Sequence, residues 1–337
     1  MQYNYVFFDC QTEYYRIARY DMEKLPNVLI KEPHLISKSR FKKILFHLHT
    51  SGRLNKHITI PFQGIWNKSF IGNLNFGNNN PICFIFSAGL GNFPYQSNMF
   101  DYLRRTYTDC KIVLLLRDIL TVGKRLMRGF DEKKAKQIFD AIYTINTVDA
   151  EKYGFRQIHS FCSRYPIETA PNDKKTDVVF IGVVKDRLDT ICRAYKKFTA
   201  AGLVCDFLLV SREPLENMPE GIVVQKQGIP YGEMLRRTIN SRCVLEITQK
   251  GTDALTSRCL EALCYNKKLI SDNFRLKETQ YYNPRYMCLF KDIDDVNPEF
   301  IKENIEVDYS YNGDFSPVKG LELIEQELLN SENEEKV

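Results

Sequence analysis

The chain has no run approaching the ~18 consecutive apolar residues that span a membrane. Its first residues, MQYNYVFFDCQTEYYRIARYD, lack a basic stretch followed by an apolar one, so neither a span nor a secretory signal is expected. None of the ten cysteines stands in a CxxC pair, and several lie inside apolar runs such as ICFIF and EALCY. Diluted in this way they read as small buried hydrophobes rather than a disulfide framework, which points to a reducing, cytoplasmic setting. GxSxG, HExxH and Walker A are all absent, which sets aside the chemistries those motifs carry. His47 and His49 alternate in FHLHT as strand residues would, without a third ligand at useful spacing, so no metal site is expected. The balance of 47 basic against 42 acidic residues leaves a net charge of only +5. Without a concentrated basic stripe, a nucleic-acid partner is excluded on this reading. No internal repeat is evident, and low complexity is confined to IGNLNFGNNNP.

What is present is a series of short apolar runs ending in small or polar residues, each followed by a helical pattern. They are residues 82–89, 111–118, 141–146, 177–182, 205–211, 221–225, 242–248 and 267–273. Continuous apolar strands between helices indicate parallel strands covered on both faces, hence an α/β fold. A length of 337 residues suggests two domains with a cleft between them. The linker is expected between about 164 and 175, where prolines, Asn172-Asp173 and a lysine pair break every period. The expected division is 1–165, 166–310, and a C-terminal helix with an acidic, disordered tail over 311–337.

The most informative segment is GIPYGEMLRRTINSRCVLEITQKGTDALTSRCLEALCYNKKLISDN, residues 228–273. It reads as turn, helix, buried strand, polar loop, helix and strand. The loop 249–256 leaves the carboxyl end of a strand and enters a helix, the place where open parallel sheets bind ligands. Gly251, Thr252 and Thr256 can present N–H groups and hydroxyls to an anion there. Arg258 lies in the helix's first turn, where a cation opposes the dipole and helix propensity gives no reason for it. Glu261, one turn deeper, can accept hydrogen bonds from vicinal ribose hydroxyls. The alternative is a surface ion pair between the two at i, i+3.

The segment SRCVLEI followed by GTDALTSRCLEALCYNKKLIS resembles the donor-binding region of GT-B glycosyltransferases, especially bacterial polysaccharide and lipopolysaccharide enzymes of the group 1 and CgeB-like kinds. The resemblance is strongest over 228–273 and weak across the first 165 residues. It implies two Rossmann-like domains facing a cleft, with Glu261 on the nucleotide ribose and Thr256 and Arg258 on the diphosphate. Where group 1 enzymes carry two glutamates with seven residues between, this chain has Asp253 and Glu261. Asp253 is thus the candidate catalytic acid, with Glu246 the other acidic candidate.

In DVVFIGVVKDRLDT, Gly182 ends a strand, and Lys185 and Arg187 precede a helix. By the same resemblance they meet the donor phosphates; otherwise they form a solvated turn. Tyr231, in QGIPYGEML, would approach the base. Ser211 and Arg212 end the strand CDFLLVS and are expected to line the cleft, as are Gly89 and Gly91 in FSAGLGNFPY. That second loop does not complete GxGxxG, which disfavours a dinucleotide site. Asp118, after KIVLLLR, is either a general base or a helix cap.

The resemblance implies a metal-independent hexosyltransferase without a bound cofactor, using a nucleotide-sugar donor and a glycan or lipid-linked acceptor. The alternatives are a nucleotide-sugar epimerase of the same fold and a non-catalytic two-lobed binding module. KSRFKK at 38–43 and GKRLMRG at 123–129 are compatible with peripheral contact to anionic lipid at the inner face of the membrane.

Overall fold

The computed structural model describes residues 1–32, 39–51, 54, 58, 62–87, 99–120, 131–170, 172–251 and 254–334. The chain divides into two compact units. The first comprises Met1–Tyr15, Asp21–His159 and Val318–Val337; the second comprises Arg16–Tyr20 and Ser160–Pro317.

Each unit is built on a six-stranded parallel sheet. In the first, β1 (Asn4–Phe8), β2 (Val28–Lys31), β3 (Ile82–Ser87), β4 (Lys111–Leu116), β5 (Ala141–Thr144) and β6 (Arg156–Gln157) run in the order β2-β1-β3-β4-β5-β6. The runs KIVLLL and ICFIFS are buried at every position after the first, as strands covered on both faces must be. In the second unit, β7 (Thr176–Val183), β8 (Cys205–Val210), β9 (Val223–Gln225), β10 (Ser241–Glu246), β11 (Lys268–Ser271) and β12 (Met287–Leu289) run in the order β12-β11-β10-β7-β8-β9. Counted from its own first strand this is the doubly wound order 3-2-1-4-5-6, whose direction reverses between β7 and β10. All five of its strand pairs are parallel.

The helices that bear on the site are α1 (Arg40–Thr50), α2 (Leu188–Ala200), α3 (Tyr231–Ile239), α4 (Ser257–Cys264) and α5 (Pro317–Glu334). In the second unit the period-2 alternation of β7 serves two cores. Val178 and Phe180 pack with Ile191 and Phe198 of α2. Val179 and Ile181 pack with Cys259 and Leu263 of α4.

Two expectations are corrected here. His47 and His49 are helical, within α1, because the run from Arg40 is capped by Ser39, whose hydroxyl accepts the Lys42 N–H at 3.4 Å. The two rings therefore part: His47 is exposed, whereas His49 is buried and accepts a 2.8 Å hydrogen bond from Trp66 Nε1. The acidic tail is helical through Glu334. Leu321, Ile324 and Leu328 of α5 are buried, and Glu325 and Glu327 accept 2.8 Å hydrogen bonds from the Tyr5 and Tyr143 hydroxyls.

Candidate functional site

The site lies in the second unit, where the strand order reverses. β7 ends near Gly182 and β10 ends at Glu246, and α4 follows β10 after the loop that begins at Ile247. α4 packs on the opposite face of the sheet from Phe180. The Arg258 guanidinium nevertheless sits 5.1 Å from the Phe180 ring centre, and the Arg187 guanidinium is 5.7 Å from the same ring. Gly182 makes this possible: a Cβ added there would lie 2.7 Å from Arg258 Nη2 and 3.9 Å from Arg187 Nη2. Two like charges are thus gathered at one strand end on one aromatic face.

Arg187 is tied down by donating to the carbonyls of Ile247 and Val183, yet its Nε is buried with no hydrogen-bond partner among the described residues. Burial and, next, the Arg258 charge hold its pKa below the usual guanidinium value. Arg258 forms no ion pair among the described residues. Glu246 and Glu261 accept their hydrogen bonds from hydroxyls, and the Arg258 charge acts on both without a bonded contact. The surface ion pair between Arg258 and Glu261 is therefore not formed. Lys185, at positive φ, donates to the Gln249 side chain.

Both glutamates are buried, each about 1% exposed. Glu246 accepts from the Thr256 and Ser271 hydroxyls. Burial raises its pKa, and those hydrogen bonds oppose the rise. Thr256 is also the N-cap of α4, accepting the Arg258 N–H at 3.2 Å, so one hydroxyl joins the buried acid to the start of the helix. Glu261 accepts a 2.7 Å hydrogen bond from the Tyr231 hydroxyl. Burial pushes its pKa from 4.5 to about 7, against the Arg258 charge and the Tyr231 hydrogen bond. It is a carboxyl poised between its two forms at neutral pH.

Eight of the expected donor residues thus lie about the adjacent carboxyl ends of β7 and β10: Gly182, Lys185, Arg187, Tyr231, Glu246, Thr256, Arg258 and Glu261. Tyr231 holds Glu261 in addition to any part in meeting a base. Ser211 donates to the Glu213 carbonyl at 2.7 Å, and Arg212 is exposed; neither is bonded to this cluster. Thr252, Asp253, Gly89 and Gly91 lie outside the described residues. Asp118 is exposed after β4 and accepts the Ile119 N–H at 2.9 Å.

Sequence reasoning overlooked Phe180 and Ser271. Each was legible as a strand residue, at i−2 from Gly182 and at the end of KKLIS. It also overlooked Asp9, fully buried at the end of β1 and ion-paired to Arg117 at 2.9 Å. Arg117 in turn lies over Phe7 and Tyr15, at 5.2 and 4.9 Å.

A cavity of about 520 Å³ opens at the opposite, amino edge of the second sheet, beside Thr176, Ser241 and Lys268. Lys267 there donates to the Ile239 carbonyl, and Lys268 donates to those of Phe300 and Glu303. These ammonium groups satisfy carbonyls at helix ends.

No protein-family model and no curated protein matches the chain. Among solved structures, it is similar over 88% of its length to 89% of an alpha-glucosyltransferase in complex with UDP and a 13-mer DNA containing a HMU base, at 12% identity and a TM-score of 0.50. The fold is that of a GT-B glycosyltransferase. Two weaker likenesses are a DNA-modifying beta-glucosyltransferase (12% identity, 88% of this chain, 87% of that one, TM-score 0.45) and a spinosyn forosaminyltransferase (12%, 90% and 89%, TM-score 0.38). The first of these structures holds UDP and DNA, so the likeness lends no support to a polysaccharide or lipopolysaccharide type.

The first of them corrects the exclusion of nucleic acid, since a chain of this GT-B fold is solved with DNA bound. Net charge averages over the whole chain, whereas phosphate contacts are made by local groups, so a mild balance does not exclude that partner. Among the described residues, no helix is long and apolar enough to cross a membrane.

Proposed function

We propose that this chain is a glycosyltransferase that takes a sugar from a nucleoside diphosphate donor, with the diphosphate held by Arg187 and Arg258 and the ribose by Glu261. The observation that carries this is the pair of guanidiniums meeting at Gly182, one with a buried unpartnered Nε. Two adjacent guanidiniums that form no ion pair among the described residues repel one another, and a diphosphate turns that cost into charge-assisted hydrogen bonds. The same cations would stabilise the charge that develops on the leaving nucleoside diphosphate, so the transfer proceeds without a bound metal. Asp118 is the candidate base toward the acceptor hydroxyl, with Asp253 a further candidate acid. The acceptor is a glycan or lipid-linked sugar of cell-surface polysaccharide or lipopolysaccharide assembly, a choice supported by the resemblance over residues 228–273.

Calorimetric titration with UDP, UMP and uridine tests the donor site, UDP being the nucleotide in the complex of similar fold. Each added phosphate should tighten binding, and the same series with other bases identifies the nucleoside. Prolonged incubation with a panel of nucleotide sugars should release nucleoside diphosphate at an unchanged rate after chelation of divalent cations. Equal affinity for nucleoside and diphosphate would overturn the assignment of the arginines. Binding without any hydrolysis or transfer would leave the non-catalytic module.

A further inference from the structure

We infer that α1 docks the protein onto an anionic lipid surface, through Phe41, Ile44 and Leu48 with Arg40, Lys42 and Lys43 beside them. The described residues leave fourteen large apolar side chains exposed, and half of them fall between residues 41 and 65. Phe41, Ile44 and Leu48 are 73%, 60% and 45% exposed. Their i, i+3, i+7 spacing places them on one face of the helix.

That face is not a piece of core left uncovered, because the helix is already anchored by another side. Phe46 is buried against Trp66 and Phe70, with ring centres 5.6 and 5.2 Å away, and His49 is bonded to Trp66. The short turn Gln63–Trp66, tied to α1 through Trp66, leaves Ile65 exposed and is preceded by Phe62, 79% exposed.

The charges specify the occupant. Arg40, Lys42 and Lys43 occupy the first turn of α1, all are exposed, and the helix contains no acidic residue. Cations at that end oppose the helix dipole, so they do not serve the helix itself. Apolar side chains that project beside cations match the interface of an anionic bilayer, where rings and aliphatic chains enter the acyl boundary and ammonium groups meet head-group phosphates. A second copy meeting this face would bring the same three cations against each other. A nucleic-acid backbone would engage the cations and leave Phe41 and Ile44 in water.

The test uses the full chain and no sugar donor, so its result is independent of the proposed transfer. Sedimentation with vesicles of phosphatidylcholine, and of equal parts phosphatidylcholine and phosphatidylglycerol, should show at least about tenfold stronger partitioning into the anionic set. Replacing Lys42 and Lys43 together by Gln should remove most of that preference, roughly 30-fold for two cations at about 1 kcal/mol each. Phe41→Ser with Ile44→Ser should lower partitioning into anionic vesicles at least about tenfold while leaving the melting temperature unchanged, since both side chains are exposed. Four results would overturn the inference: equal partitioning into the two vesicle types, wild-type partitioning by the Ser variant, stronger binding to duplex DNA than to anionic vesicles, or self-association that the Ser variant abolishes.

Discussion

Gly182→Ala isolates the approach of the two arginines from the stability of the fold. Gly182 lies within β7, opposite Leu209, and its φ is not in the left-handed region, so alanine is acceptable to the backbone. The added Cβ meets Arg258 Nη2 at 2.7 Å where ordinary contact begins near 3.4 Å, and the guanidinium must retreat by about 0.7 Å. The clashing atoms end a long flexible side chain, so the cost is that of an off-rotamer arginine and a weaker cation–π contact, together about 1–2 kcal/mol. A strand residue gained in place of glycine returns part of it. The melting temperature should therefore fall by no more than a few degrees. A guanidinium moved that far no longer hydrogen-bonds a diphosphate in place. Losing one or two charge-assisted bonds, at about 1.5–3 kcal/mol, weakens the nucleoside diphosphate roughly 10- to 150-fold. Calorimetry with the nucleoside and its diphosphate on both proteins reads the difference directly. Unchanged diphosphate affinity in a folded variant, or an equal loss for the nucleoside, would refute the reasoning.

Glu261 has a folded pKa raised from 4.5 to about 7; the stability this represents is present in full below pH 4.5 and is lost as pH rises through 7, on the order of 3 kcal/mol in all. Glu261→Gln should remove that loss and make the variant more stable than wild type at pH 8 in denaturant titrations, while donor affinity in the wild type should rise with pH through 7 as the ribose-accepting carboxylate forms. Thr256→Val removes both the N-cap of α4 and a donor to buried Glu246, and chemical unfolding should show a loss of about 2–4 kcal/mol. Asp118→Asn should lower kcat about 10²–10⁴-fold with donor affinity unchanged; an equal effect on donor binding would place Asp118 outside the acceptor side.

The strands most legible in the sequence were those whose runs are continuously apolar, such as KIVLLL and DVVFIG, because burial on both faces leaves no polar residue to blur them. β1 was overlooked although NYVFF is buried at every position. Its tyrosine and asparagine read as polar, while the fold buries Tyr5 with its hydroxyl on Glu325, 320 residues away. No local pattern announces a partner at that distance. The order strand, loop, helix, acid located Glu261 and Arg258. Where their side chains point depends on the missing Cβ of Gly182 in another strand and on the Tyr231 hydroxyl of another helix, relations that spacing does not encode. α1 misled for a related reason: HLH alternates over three residues, and only the longer run from Arg40 reveals the helical period.

The return of α5 to the first unit has a consequence for how the protein is made. β1 leaves the ribosome before the other strands, yet the side chains that satisfy the Tyr5 and Tyr143 hydroxyls and the Arg156 guanidinium arrive on Glu325, Glu327 and Ser331, after the whole second unit has been synthesised. At about 5–20 residues per second, the first sheet waits on the order of ten seconds or more for its last layer. The unit that begins first is completed last, and a nascent chain halted anywhere before Leu321 leaves it exposed to chaperones and proteases.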